Sequence, residues 1–154
     1  MKIPKEYLEA VCAQAETEYP RECCGMILGP REPKDAWSRL RPCRNVQDAY
    51  HGLDPENFPR TAKTAYFIEP RELLEIQKEL RVRGEEIKVI YHSHIDAGAY
   101  FSEEDTRVAA PEGEPAYPGV DYLVVSVLSG KAAAASVFRW DPSRKEFFSC
   151  ASLF

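Results

Sequence analysis

The chain has 154 residues, 44% of them hydrophobic and 29% charged, with 20 Lys+Arg against 25 Asp+Glu for a net charge of -5. At ~100–200 residues per domain, residues 1–154 are expected to form one domain, and the apolar content excludes a disordered chain. The acidic balance argues against a nucleic-acid partner, which calls for a basic surplus or stripe, and no apolar run approaches the ~20 residues of a membrane span.

The N-terminal Met-Lys-Ile-Pro-Lys-Glu lacks the apolar stretch of a secretory signal, so a cytoplasmic location is expected. Residues 4–18 read as a helix, with Tyr7, Leu8, Val11, Cys12 and Ala15 at helical spacing and Pro4 suited to the first turn. Residues 23–28, Cys-Cys-Gly-Met-Ile-Leu, read as a buried strand closed by Gly29-Pro30, with a second strand over 37–43. Residues 45–60 are a loop with room for one helical turn, and 65–68 a short strand. A helix opens at Pro70, carries Leu73, Leu74, Ile76, Leu80 and Val82, and stops at Gly84. A buried strand over 87–91 follows, then a loop over 95–101 and a short helix over 102–110. Strands over 122–128, 133–140 and 147–150 complete the chain, the last two joined by a turn at Asp141-Pro-Ser-Arg-Lys. The expected fold is mixed α/β, with a partly antiparallel, curved sheet flanked by helices.

Five cysteines, Cys12, Cys23, Cys24, Cys43 and Cys150, form no Cys-x-x-Cys pair. An odd count without that spacing is neither a disulfide framework nor a thiolate zinc site, and Cys23 and Cys24 read as small buried hydrophobes.

Chemistry concentrates after the 87–91 strand. His92 and His94 are two apart, so in extended backbone both imidazoles point to one face and can converge on one point. Two neutral imidazoles make half of a metal site, although a His-rich strand end hydrogen-bonded to backbone is the commoner explanation of such a pair taken alone. Ser102-Glu103-Glu104-Asp105 reads as a helix start, with Ser102 at the N-cap. The two readings are compatible. If that helix begins beside the histidines, Asp105 in its first turn completes a His, His, Asp set with a fourth position open, a pattern that suits Zn²⁺. A proton acceptor is then needed. Glu22, between a helix end and an apolar strand, is the best candidate, but among 25 acids position alone does not select it.

The spacing His92-Ser93-His94, seven residues, Ser102, two residues, Asp105 resembles the motif of the JAMM metallopeptidases, also called MPN+ or JAB1/MPN/Mov34. The segment from Pro20 to Gly29, which contains Glu22-Cys23-Cys24-Gly25, looks like the stretch that carries the catalytic glutamate in small bacterial members. Asn45, Phe67 and Pro70 are also similar to those members, while Ile95 stands where many relatives have proline. The resemblance implies a JAB1/MPN-like fold, similar to the cytidine-deaminase-like architecture. It implies that His92, His94 and Asp105 bind one Zn²⁺, that Glu22 takes the catalytic water's proton and passes it to the leaving amine, and that Ser102 hydrogen-bonds the developing oxyanion. The implied reaction is hydrolysis of a peptide or isopeptide bond after the C-terminal di-glycine of a ubiquitin-like or sulfur carrier protein. The oligomeric state is not implied.

Other residues and readings weigh less. Ser93, on the opposite face from the histidines, is expected to make a supporting contact; His51 and Asp96 are expected to be solvated loop residues. The loops over 47–60 and 111–119 are candidates for gripping an extended tail. Zinc nucleobase deaminases also pair an activated water with a glutamate, but their His-x-Glu and Pro-Cys-x-x-Cys are missing here. A non-catalytic MPN-type scaffold would have lost ligands that this chain keeps.

Overall fold

A computed structural model describes residues 2–154. The apolar stripe of the first helix buries Val11 and Ala15 in α1 (Lys5–Glu18), which opens after Pro4. Strands β1 (Cys24–Pro30) and β2 (Arg39–Cys43) follow, then α2 (Gln47–Leu53) and, after a long connection, α3 (Pro70–Arg83). Gly84 ends α3 in the left-handed conformation, with φ at 67°, where a side chain would be strained. The chain then runs through β3 (Glu85–Ile95), α4 (Glu103–Ala109), β4 (Asp121–Leu128), β5 (Lys131–Asp141) and β6 (Glu146–Ser152).

The six strands form one open sheet in the order β2-β1-β3-β4-β5-β6. Only β3 and β4 are parallel, joined by a crossover that carries α4; the other neighbours are antiparallel. The mixed α/β architecture expected from the sequence is thus the observed one. Both faces are covered. Val11, Ala15, Ile27, Val89, Tyr91, Leu123 and Val125 pack on the α1 side, while Met26, Leu28, Ile76, Leu80, Ile90, Ala109 and Val124 pack on the side of α3 and α4. The period-2 alternation therefore sends the even-numbered residues of β3, His92 and His94 among them, to the α3/α4 face. No helix among the described residues is long and apolar enough to cross a membrane.

Three expectations shift. Residues 65–68 form no strand; only an isolated bridge joins Asn45 and Ile68. The Asn45 side chain takes the place of a partner strand there, its Nδ2 donating to Ala65 O at 3.2 Å and its Oδ1 accepting from Phe67 N at 3.0 Å. The same Oδ1 accepts from Gln47 N at 3.0 Å, where two-turn α2 begins inside the segment read as a loop. β3 runs 11 residues, past Tyr91, so the histidines lie within the strand rather than after it. Their polarity suggested a strand end, but His92 is paired on both sides, to Cys24 and Val124, and a central strand keeps its backbone bonded.

The edge strand β2 is tied down by ion pairs. Arg39 reaches Glu85 at 3.0 Å and Glu79 at 3.3 Å, and Arg41 reaches Glu72 and Glu79 at 3.1 Å. Hydrogen bonds from Arg41 hold the Glu79 carboxyl below its ordinary 4.5. Burial works to raise Glu85, but Arg39 and Ser38 outweigh it and hold it low too. A depressed carboxyl pKa stabilises the fold above the unfolded value and loses that contribution as pH falls through the folded one. Arg39→Ala is therefore expected to cost about 1–3 kcal/mol at pH 7, a gap from wild type that narrows below pH ~4 in urea melts. A gap that stays constant down to pH 3 would remove the carboxylates from the explanation.

Candidate active site

The site forms at the C-terminal end of β3, where α4 begins, the usual ligand position beside parallel strands. His92 is fully buried and His94 nearly so, and both aim Nε2 at Asp105. His92 Nε2 lies 2.9 Å from Asp105 Oδ1 and His94 Nε2 3.0 Å from Oδ2; the two Nε2 atoms are 3.3 Å apart. One ligating atom from each of the three residues falls within 4.8 Å of the others, so the set could hold a metal ion.

The hydrogen bonding of these groups favours a cation between them. His94 Nδ1 is 2.9 Å from Gly98 O, which can only accept, so Nδ1 carries the hydrogen. In a neutral ring Nε2 is then a bare lone pair facing a carboxylate oxygen, an arrangement that needs a proton or a metal ion between the two. The donor set, two imidazoles and one carboxylate, suits a borderline divalent ion. His92 is fixed by packing instead: Tyr66 stacks on it at 4.8 Å, and its buried Nδ1 has no partner among the described residues. Burial works to raise Asp105, but the two imidazoles outweigh it and hold its carboxyl well below the usual range.

Asp105 also closes a capping box. Ser102 Oγ accepts from Asp105 N at 3.0 Å, and Asp105 Oδ2 accepts from Ser102 N at 2.9 Å. The helix-start and ligand readings of this segment are both satisfied by one geometry. Capping uses an Oγ lone pair and leaves the Ser102 O–H free to donate elsewhere.

Glu22 is 4% exposed, not a solvated acid at a strand edge. Antiparallel pairing sets Cys24 opposite His92, and Ser93 N donates to Cys23 O at 3.1 Å. Two residues before Cys24 and on the same face, Glu22 comes beside His94. Both line a cavity of about 120 Å³ together with Ser102 and Tyr100. The Glu22 backbone is held at both ends, N to Ala62 O at 2.7 Å and O to Asn45 Nδ2 at 2.9 Å. Burial first, then the charge of Asp105, pushes its carboxyl up to about 9, with Arg60 acting in the opposite direction. Ser93 has the supporting contact expected of it, its Oγ accepting from Cys23 N at 2.8 Å. Behind them, Gly25 leaves room for buried Tyr91, whose Oη would lie 2.1 Å from a Cβ placed there.

His51 and Asp96 stay out of the site. His51 lies in the last turn of α2 rather than in a loop, with Nδ1 2.7 Å from Phe58 O, and Asp96 accepts from Tyr19 Oη and Ser129 N, each at 2.8 Å. The two candidate tail-gripping loops separate. Residues 56–60 line a second cavity of about 610 Å³ with Tyr66, Phe67, Glu104 and Val108, and Arg60 borders both cavities through its 3.3 Å ion pair with Glu104. From the other loop only Pro111 reaches that cavity. Tyr117 and Pro118 instead line a cavity with Glu86 and Ile87, near the start of β3 and ~20 Å from the histidines at ~3.3 Å per residue. The sequence reading missed Gly98, Tyr66, Tyr100 and Arg60. Gly98 acts through its backbone carbonyl and leaves no side-chain signal; Tyr100 sits in the seven-residue spacer before Ser102, where the motif specifies no residue, and Tyr66 and Arg60 are brought in by tertiary packing from a segment with no motif of its own.

A family model described as prokaryotic homologs of the JAB domain matches residues 4–142. The chain is 28% identical over 124 residues to the CysO-cysteine peptidase of Mycobacterium tuberculosis, covering 80% of this chain and 71% of that protein. It is 31% identical over 101 residues to the tail tip assembly protein K of Escherichia phage N15, a match that spans 64% of this chain and 32% of that one. Among solved structures, a protein from Desulfitobacterium hafniense superposes with a TM-score of 0.67 at 25% identity, covering 94% of this chain and 86% of that chain. A protein from Salinibacter ruber, at 23% identity and a TM-score of 0.63, shares the fold over 98% of this chain and 89% of its own.

Proposed function

The chain belongs to the family of prokaryotic homologs of the JAB domain, and from that membership we propose that residues 1–154 act as one cytoplasmic, zinc-dependent peptidase domain. Its substrate is a ubiquitin-like or sulfur carrier protein, and the bond cut follows the C-terminal glycines. The observation that carries this reading is the convergence of His92, His94 and Asp105 within 4.8 Å, next to a cavity that Glu22 and Ser102 also line. The similarity to a CysO-cysteine peptidase supports a sulfur carrier as the substrate class.

His92, His94 and Asp105 hold the ion. A bound Zn²⁺ supplies a Lewis acid that lowers the pKa of a water and polarises the scissile carbonyl. Glu22 accepts the proton of the attacking water on its carboxylate and returns it to the leaving nitrogen, the two-way transfer that one positioned general base can perform. Ser102 donates its free O–H to the carbonyl oxygen as charge develops there, a contact worth ~3–4 kcal/mol of barrier in comparable sites. The 610 Å³ groove beside Glu104 takes the extended di-glycine tail, its size falling within the ~300–1,000 Å³ of ordinary ligand clefts.

Incubation with a carrier protein extended beyond its di-glycine end, followed by intact mass, tests the reading. Cleavage directly after the second glycine is expected, abolished by a chelator and restored by added Zn²⁺. No cleavage of any di-glycine-ending carrier by the Zn²⁺-loaded protein would reject the peptidase assignment.

A further inference from the structure

Lys88 is a buried charge that the proposed chemistry does not use. Its side chain is 4% exposed and lies in the interior strand β3, four residues before His92, about 13 Å away at ~3.3 Å per residue. Two features of the backbone put it there. Ile27 pairs with Val89 and Leu28 with Ile87, so Lys88 is the extra residue of a β-bulge and has no partner on β1. The bulge slips the alternation: Ile87 packs with Ile90 on the α3/α4 side, while Val89 packs with Tyr91 on the α1 side. Gly29 then clears the space that the side chain occupies, since a Cβ there would lie 2.9 Å from Lys88 Cε and would collide with Ala36 O.

The ammonium so placed is incompletely used. Lys88 Nζ donates to Glu86 Oε1 at 2.8 Å and to Lys34 O at 3.2 Å. An ammonium has three protons, and the third has no acceptor among the described residues. Lys88 lines a cavity of about 490 Å³ between the β1–β2 connection and the segment before β4, together with Lys34, Asp35, Glu86, Ile87, Pro118 and Gly119. Lys34 Nζ has no hydrogen-bonding or ion-pair partner among the described residues.

We infer that this cavity binds a small monocarboxylate with an apolar body, its carboxylate accepting from Lys88 Nζ and facing Lys34 Nζ. Tying the β1–β2 connection to β3 needs only a neutral donor. A buried charge carries a desolvation penalty, which the free third proton leaves partly uncompensated. An anionic oxygen closes that deficit with a charge-assisted hydrogen bond. The cavity is far larger than the ~30 Å³ of one water and falls within the ~300–1,000 Å³ of ordinary ligand clefts. Its other walls choose among anions. Asp35 and Glu86 border the same space, so a phosphate dianion or a dicarboxylate meets like charges, whereas a single carboxylate is matched by the two ammonium groups. Ile87, Pro118 and Gly119 offer no polar side chain, so the rest of the ligand is apolar. None of these residues lines the 120 Å³ cavity around Glu22 and His94, and the inference stands apart from the peptidase reading.

The test titrates the isotope-labelled, metal-free 154-residue chain with hexanoate and phenylacetate, and with their carboxamides, and follows the amide chemical shifts. The acids are expected to shift Ile87, Lys88 and Gly119 at about tenfold lower concentration than the carboxamides, the lower end of what a hydrogen bond to a charged group contributes. Lys88→Met keeps an unbranched stem and removes the ammonium, and should bring acid and carboxamide together. Glu86→Gln removes the competing carboxylate and should raise affinity for the acids about threefold, the scale of a half-exposed charge, while leaving the carboxamides unchanged. That variant and the wild-type comparison decide the matter even if Lys88→Met fails to fold. Acids and carboxamides that perturb these amides at the same concentration overturn the inference. So do acids that perturb only Tyr100 and Ser102, beside the proposed metal ligands, and so does the absence of shifts with all four compounds, which leaves Lys88 as a tie for the β1–β2 connection alone.

Discussion

Glu22→Gln is expected to lower kcat for carrier cleavage by ~10²–10⁴-fold while leaving the metal content of the purified protein at the wild-type level. The amide is almost the size and shape of the carboxyl it replaces, and the backbone anchors of Glu22, to Ala62 and Asn45, do not involve the side chain. Gln cannot accept and release a proton near neutral pH, so the proposed base would be lost and the three proposed ligands spared. Because burial pushes the Glu22 carboxyl up to about 9 in the metal-free protein, it is neutral there at pH 7, like the amide. The sign of the pH effect follows. A buried acid with a raised pKa favours the fold below its ordinary 4.5 and progressively disfavours it as pH climbs toward 9. Metal-free wild type should therefore lose stability between pH 5 and 9 in denaturant melts, and the Gln variant should lose less. Normal turnover by the variant would refute the base assignment, and loss of metal would make Glu22 a ligand instead.

The fold and the site were legible in the sequence to different depths. Helices with a stripe and a stop signal, such as α1 and α3 with Gly84, announce themselves because their cues are local. Strand alternation alone puts both histidines on one face, and their spacing to Ser102 and Asp105 resembles a known motif. Where a side chain substitutes for backbone, local reading fails. Residues 65–68 carry strand-like composition, yet their backbone bonds go to the Asn45 side chain and to Val46 N, partners 20 residues or more away in sequence. The burial of Glu22 was equally hidden. It depends on the α2–α3 connection folding back so that Ala62 meets Glu22, and no periodicity encodes a contact between residues 40 apart. The same fold-back brings Arg60 to the site, although nothing around it in sequence marks it for chemistry.

Asp105 is where the structural and the chemical readings coincide, and two substitutions can separate them. Asp105→Ala removes the carboxylate from both imidazoles and from Ser102 N, so the variant should lose metal, activity and about 1 kcal/mol of stability from the broken helix cap. Asp105→Asn keeps an oxygen able to accept from Ser102 N and should recover most of that stability. It carries no charge, and an amide is a poor ligand for a borderline ion. Its metal affinity should fall by more than the ~10–100-fold typical of changes to groups that merely orient a ligand. Titration against a competing chelator and urea melts of the metal-free proteins give the two quantities independently. If Asn bound Zn²⁺ as tightly as Asp, the carboxylate would be a cap and no ligand, and the open fourth corner on which hydrolysis depends would have to be sought at His92 and His94 alone. If instead Asn restores the fold but not the ion, the capping box is what positions the third ligand, and the N-terminus of α4 is part of the metal site rather than its neighbour.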